Sequence, residues 1–197
     1  MVLYLSVPYL WLVAIALLPA ATAARADDEA RCRELTRQFQ DTKSQMTAIE
    51  VSQTLFSATD ANCVPLATEL LDFGASVDAR DRLGARPLSH AARLGNIEIV
   101  DLLLARGAPI NARNLPGATA LYFAAERGHA AIAQRLIERG ADVNLVGRSE
   151  LSPVAAAAYG GHDTIVEMLL AHGADAQVVD ATGKPAIVYA AGTGRLD

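Results

Sequence analysis

The chain has 197 residues, of which 52% are apolar, 5% aromatic and 20% charged; 17 basic side chains stand against 22 acidic ones, a formal net charge of −5. An aromatic-poor composition rich in Ala and Leu suits small helices packed closely and argues against a membrane bundle. Net negative charge argues against non-specific nucleic-acid binding and leaves room for a local basic patch.

From Val2 to Ala24 there is no charged side chain. A compact apolar run, Leu10 to Leu18, ends at Pro19. Small-x-small sites follow at Ala21-Thr22-Ala23 and Ala24-Arg25-Ala26, and then Asp27-Asp28-Glu29. This is the order of a secretory signal peptide over residues 1–26, lacking only a Lys or Arg before the apolar run. Cleavage is expected after Ala26, with Ala23 the secondary position. The rival reading is an uncleaved anchor, because the run is just long enough to span a bilayer. Proline at both ends and the cleavage-like sites favour removal. A chain beginning at Asp27 has lost Arg25 and carries 16 basic and 22 acidic side chains, net −6. It is expected in a secreted or periplasmic compartment, free of the membrane. Two cysteines remain, Cys32 and Cys63. In an exported protein an even count permits one disulfide; the alternative is two unpaired small hydrophobes. The oxidising context, and their shared place at the amino-terminal end, favour the bridge.

Residues 27–50 are polar with spaced apolar positions, Leu35, Phe39, Met46 and Ile49. Their helical spacing predicts a capping helix with a break near Asp41-Thr42. From there the chain is periodic. Gly74-Ala75, Gly107-Ala108, Gly140-Ala141 and Gly173-Ala174 recur at a step of 33 residues. Ala91-Ala92, Ala124-Ala125, Ala157-Ala158 and Ala190-Ala191 keep that step. So do Gly84, Gly117 and Gly183, with Glu150 in the remaining slot. A unit of this length cannot bury its apolar face alone, and stacked copies share one elongated core. The array is expected over 51–197: a degenerate first copy at 51–80, full copies at 81–113, 114–146 and 147–179, and a partial copy at 180–197. Each full copy reads as a turn, a short helix, and a longer helix closed by Gly. The fifth holds a turn and first helix only. Either that short end caps the array or the chain is a truncated form.

These segments resemble the ankyrin-repeat family, whose motif runs from a turn Gly through Thr-Pro-Leu-His-x-Ala-Ala and Gly-His to an aliphatic helix and Gly-Ala. Here the first part reads Arg86-Pro87-Leu88-Ser89-His90-Ala91-Ala92, then Thr119-Ala120-Leu121-Tyr122-Phe123-Ala124-Ala125, then Ser152-Pro153-Val154-Ala155-Ala156-Ala157-Ala158. Gly-His returns as Gly128-His129 and Gly161-His162, with Gly95-Asn96 before them. The resemblance implies an all-α solenoid of helix-turn-helix units. The motif Thr is lost at Arg86, and its His is replaced by Ser89, Tyr122, Ala155 and Val188. Lower stability than an idealised array is expected, not another fold.

No cofactor, metal or catalytic site is expected. His129 and His162 stand at the motif's Gly-His place and should cap a helix or bond between repeats. His172 precedes Gly173 at a helix end, where positive charge is welcome. His90 lies in a first helix with no Cys or Asp at ligand spacing, and zinc needs three or four converging ligands.

In the family, partner contacts come from the turn tips and the exposed side of the first helices. In this register the tips supply Arg80, Arg82, Leu83, Arg113, Leu115, Arg148, Leu151 and Lys184. The first helices supply Arg93, Leu94, Glu126, Arg127 and Tyr159. The second helices carry acids: Glu98, Asp101, Glu138, Asp163 and Glu167. A basic inner side would steer an acidic protein partner; the alternative is that long Arg side chains merely solubilise a loop-rich edge. The expected function is a monomeric, non-catalytic protein-binding adaptor or regulator in an exported compartment. An inhibitor or immunity-type subunit of an exported enzyme is the alternative.

Overall fold

The computed structural model describes residues 27–186, 188 and 189. The expected leader and the end of the fifth copy lie outside the described residues. The helices are α1 (27–42), α2 (Ala48–Asp60), α3 (Val64–Asp72), α4 (Pro87–Leu94), α5 (Ile97–Ala105), α6 (Ala120–Arg127), α7 (Ala130–Glu138), α8 (Pro153–Gly160) and α9 (Asp163–Ala171). Among the described residues the other regular features are a 3-10 turn at Arg148–Glu150 and an isolated bridge between Val179 and Pro185.

The helices form two layers. First helices α2, α4, α6 and α8 stack on one another, and second helices α3, α5, α7 and α9 stack behind them. Composition sets the spacing. The inner helices meet through Ala91, Ala92, Ala124, Ala125, Ala157 and Ala158, all buried, and approach closely. The outer helices meet through Ile99, Leu103, Ile132, Leu136, Ile165 and Leu169 and touch less extensively. Small residues inside and large ones outside curve the array towards its first helices. The register is uniform: Leu55, Leu88, Leu121 and Val154 share one slot, Leu70, Leu103, Leu136 and Leu169 another, and all eight are buried.

The Gly-Ala dipeptide has a backbone cause. Each of these glycines has a positive φ, 109°, 81°, 88° and 83° in chain order. The following Ala N–H then reaches back to Leu70, Leu103, Leu136 or Leu169 carbonyl oxygen at 2.8–3.0 Å. This closes the helix in the left-handed manner that glycine permits.

The amino-terminal end departs from the repeat. Phe39 of α1 is fully buried and meets Phe73 edge-to-face at 5.5 Å. Cys32 and Cys63 are disulfide-bonded, with Cα atoms 5.2 Å apart. The break falls as expected, and half-buried Met46 packs against the core, but Ile49 does not continue the buried face of the cap. Thr47 begins a new helix through a reciprocal cap, Glu50 N–H to Thr47 Oγ1 at 3.3 Å and Thr47 N–H to Glu50 Oε2 at 2.7 Å. Ile49 therefore sits on the first turn of α2 and is 70% exposed. At 13 residues α2 is longer than the 8-residue first helices that follow. Its extra turns occupy the place of the missing turn.

Candidate protein-binding surface

Three of the turns are built by an Asp or Asn side chain at one slot. Asp81 Oδ1 accepts the N–H groups of Leu83 and Ala85, both at 2.8 Å. Asn114 Oδ1 accepts that of Ala118 at 2.8 Å, and Asp180 Oδ1 those of Thr182 and Lys184 at 2.8 and 3.0 Å. These side chains fold the backbone back as turn residues do. Repeat four has Gly147 in this slot, and the cause lies in the repeat before it. The buried Tyr122 ring fills the space: a Cβ on Gly147 would lie 2.5 Å from Tyr122 Cδ2. Without its side-chain acceptor this turn takes another path, with Ser149 and Glu150 both left-handed at φ 55° and 60°.

A second slot joins neighbouring repeats. His129 Nε2 meets the Arg93 carbonyl oxygen at 3.2 Å, His162 Nε2 that of Glu126 at 3.3 Å, and Asn96 Nδ2 donates to that of Thr59 at 2.7 Å. Of the two roles expected for these histidines, the bond between repeats is the one observed; neither side chain caps its helix. The imidazoles lie under Gly95 and Gly128, where an added Cβ would come within 2.8 and 2.5 Å of them. Cys63 occupies the same slot in the first copy, which has no repeat before it. The disulfide to α1 stands where later repeats use a hydrogen bond.

Leu83 and Leu115 are 60% and 78% exposed, and Leu115 N–H donates to the Leu83 carbonyl at 2.9 Å, fastening one tip to the next. Arg80, Arg82 and Arg148 are exposed and Arg93 half-buried; none has an ion-pair partner among the described residues. On the outer layer Arg106 pairs with Asp72 at 2.9 Å, and Arg135 pairs with Asp101.

Three stretches of the chain, residues 20–114, 55–147 and 121–197, match the model of ankyrin repeats in three copies. The chain belongs to the ankyrin-repeat family. Its curated relatives include the ankyrin repeat, SAM and basic leucine zipper domain-containing protein 1 of Eulemur macaco macaco and of Equus caballus, each 38% identical over 78 residues. The same protein of Neofelis nebulosa is 37% identical over 78 residues. These matches take in 40% of this chain and 16% of each relative. The likeness is therefore to a stretch of repeats. Ankyrin repeats are typically non-catalytic and mediate protein–protein binding.

The ankyrin array leaves most of the expected binding residues exposed, but not all in one role. Arg80, Arg82, Leu83, Leu115, Arg127, Arg148, Tyr159 and Lys184 are exposed. Arg127 leans on Glu126 at 3.6 Å. Leu151 is half-buried against Tyr122 and Ala156, so only its edge reaches solvent. Arg113 is tethered: its Nε donates to the Gly117 carbonyl and its Nη2 to that of Val146, both at 3.0 Å. It is part of the scaffold that joins the end of repeat two to repeat three. Arg86, which replaces the motif Thr, pairs with Asp78 and donates to the Arg113 carbonyl at 3.3 Å. At the other motif positions Thr119 and Ser152 cap α6 and α8 as the family's hydroxyl does.

One cluster was not expected. His90 lies between two aspartates, Asp60 at the end of α2 and Asp81 in the turn. The ring meets Phe56 edge-to-face at 5.0 Å. Burial disfavours its charged form, but the bonds to Asp60 and Asp81 outweigh this and raise its pKa above the usual value. Asp81 is also partly buried, which opposes ionisation. The bonds from His90 and the Ala85 and Leu83 N–H groups still hold it below the ordinary carboxylate range.

Proposed function

We propose that this chain is an adaptor or regulator that binds an acidic protein surface along its inner side, in a secreted or periplasmic compartment. The observation that carries the surface is the difference in how charge is spent. On the outer layer Arg106 and Arg135 are paired and Arg139 alone has no ion pair among the described residues, whereas four arginines of the turns and first helices, Arg80, Arg82, Arg93 and Arg148, have none. Exposed Leu83, Leu115 and Tyr159 stand among them. Guanidinium groups interleaved with large apolar side chains are typical anchors of protein interfaces. The Cys32–Cys63 disulfide supports an oxidising compartment, as does the uncharged amino-terminal run.

Affinity purification from the producing cells, followed by binding assays on the co-eluting protein, tests this reading. Arg80→Glu with Arg82→Glu should weaken binding and leave the melting temperature unchanged, because neither side chain has an ion-pair partner among the described residues. A partner enzyme whose turnover falls on binding would favour the inhibitor reading over the adaptor. Unchanged binding by the reversed protein would sink the surface assignment.

A further inference from the structure

We propose that the recess between the tips of repeats two to four accepts the side-chain carboxylates of an extended acidic segment of the partner protein. This deepens the reading of the inner side as the binding surface and rests on it. Three guanidinium groups line the recess, Arg93 from α4, Arg127 from the end of α6 and Arg148 from the fourth turn. They come from three repeats and from three different slots of the 33-residue register, so periodicity alone does not put them together. Glu126 is the acid in the same recess and is engaged by Arg127 at 3.6 Å. Asp81 borders the adjoining space and is spent on His90. Positive charge is left in excess, and Arg93 is half-buried with no ion-pair partner among the described residues. A carboxylate arriving there gains charge-assisted, fork-like hydrogen bonds.

The rest of the lining limits the ligand further. Phe123 and Pro116 give the recess an apolar wall, and Leu83 on the neighbouring tip continues it. An extended segment puts alternate side chains on opposite edges. Acidic residues alternating with aliphatic ones therefore fit both the guanidinium groups and the apolar wall.

The probe is a dye-labelled peptide of alternating Glu and Leu, capped at both ends, titrated with the full chain and followed by fluorescence anisotropy. It should bind, and binding should weaken as salt rises. The matched Gln-Leu peptide should bind at least tenfold more weakly. Arg148→Gln should cost several-fold and Arg93→Gln with Arg148→Gln about tenfold, the scale of one or two partly exposed charge pairs. Glu126→Gln should tighten binding. Arg148 has no ion-pair partner among the described residues, so its variant stays folded and keeps the test decisive. No binding, equal binding of both peptides, or indifference to Arg93 and Arg148 would overturn the proposal. If those two are silent while Leu83→Ser with Leu115→Ser abolishes binding, the recess fails and the inner surface stands. If only Glu98→Lys with Glu138→Lys changes binding, both fail.

Discussion

His90 Nδ1 lies 2.9 Å from Asp60 Oδ1, and its other ring nitrogen lies 3.1 Å from Asp81 Oδ2. Both neighbours are aspartate side-chain oxygens, and a neutral imidazole can donate from only one nitrogen. The cationic form satisfies both and clamps the first copy to the second. Arg93 on the same helix opposes that charge.

A pH dependence follows with a definite sign. Folding raises the His90 pKa above its ordinary 6.5. The stabilisation is therefore complete below the unfolded value and is lost as pH climbs through the higher folded value. His90→Gln should destabilise by about 1 kcal/mol at pH 6, the scale of a partly exposed charge-assisted bond. The difference should shrink towards pH 9. Urea melts of both proteins across that range would show it; a constant difference would mean that the ring is never charged.

The disulfide fastens α1 to the array across a sequence separation of 31 residues. Loop-closure entropy for such a loop amounts to roughly 3–4 kcal/mol. Cys32→Ser with Cys63→Ser should lower stability on that scale, or by less if the unfolded chain stays compact. Thiol labelling of the denatured, unreduced wild type should find nothing to react.

Glu150 holds a left-handed conformation at φ 60° in a slot where Gly84, Gly117 and Gly183 stand in the other copies. Relieving that conformation gains about 1–2 kcal/mol. The extra freedom of glycine in the unfolded chain takes back about 0.5–1 kcal/mol. Glu150→Gly should therefore stabilise by about 0.5–1 kcal/mol in chemical denaturation. A loss of stability would show that the Glu150 side chain contributes a contact of its own.

Tyr122 and Gly147 should be energetically coupled. Gly147→Asp alone should cost about 1–3 kcal/mol, as overpacking does, because the new side chain meets the Tyr122 ring. Combined with Tyr122→Ser, the residue type that Ser89 provides one repeat earlier, Gly147→Asp should cost clearly less. Additive costs in this double-mutant cycle would refute the steric account.

The repeat was legible because its signals are local. The Gly-Ala dipeptide reports a backbone closure, and the buried Leu slots report one register. Motif position left His129 and His162 two structural roles, a helix cap or a bond between repeats, and only the stacking of neighbours decides for the bond. The break between cap and array was harder, although Thr47-Ala48-Ile49-Glu50 is itself a helix-start signal that places Ile49 on a new helix. The His90 cluster was not legible, because Asp60 is 30 residues away and is brought in only by stacking. Arg113 misleads for a related reason. Its sequence reads as a free charge at a tip, whereas its guanidinium bonds to the Gly117 carbonyl of the adjoining turn and to the Val146 carbonyl, 33 residues away and brought in only by stacking.

Site-specific photo-crosslinking in the producing cells tests the central claim most directly, since it captures a partner whatever its identity. A photoreactive residue at Leu83 or Leu115, both exposed tips, should capture a discrete protein adduct. The same residue at Glu98 or Glu138, exposed on the outer helices, should capture none. Adducts confined to Glu98 and Glu138 would contradict binding along the inner side.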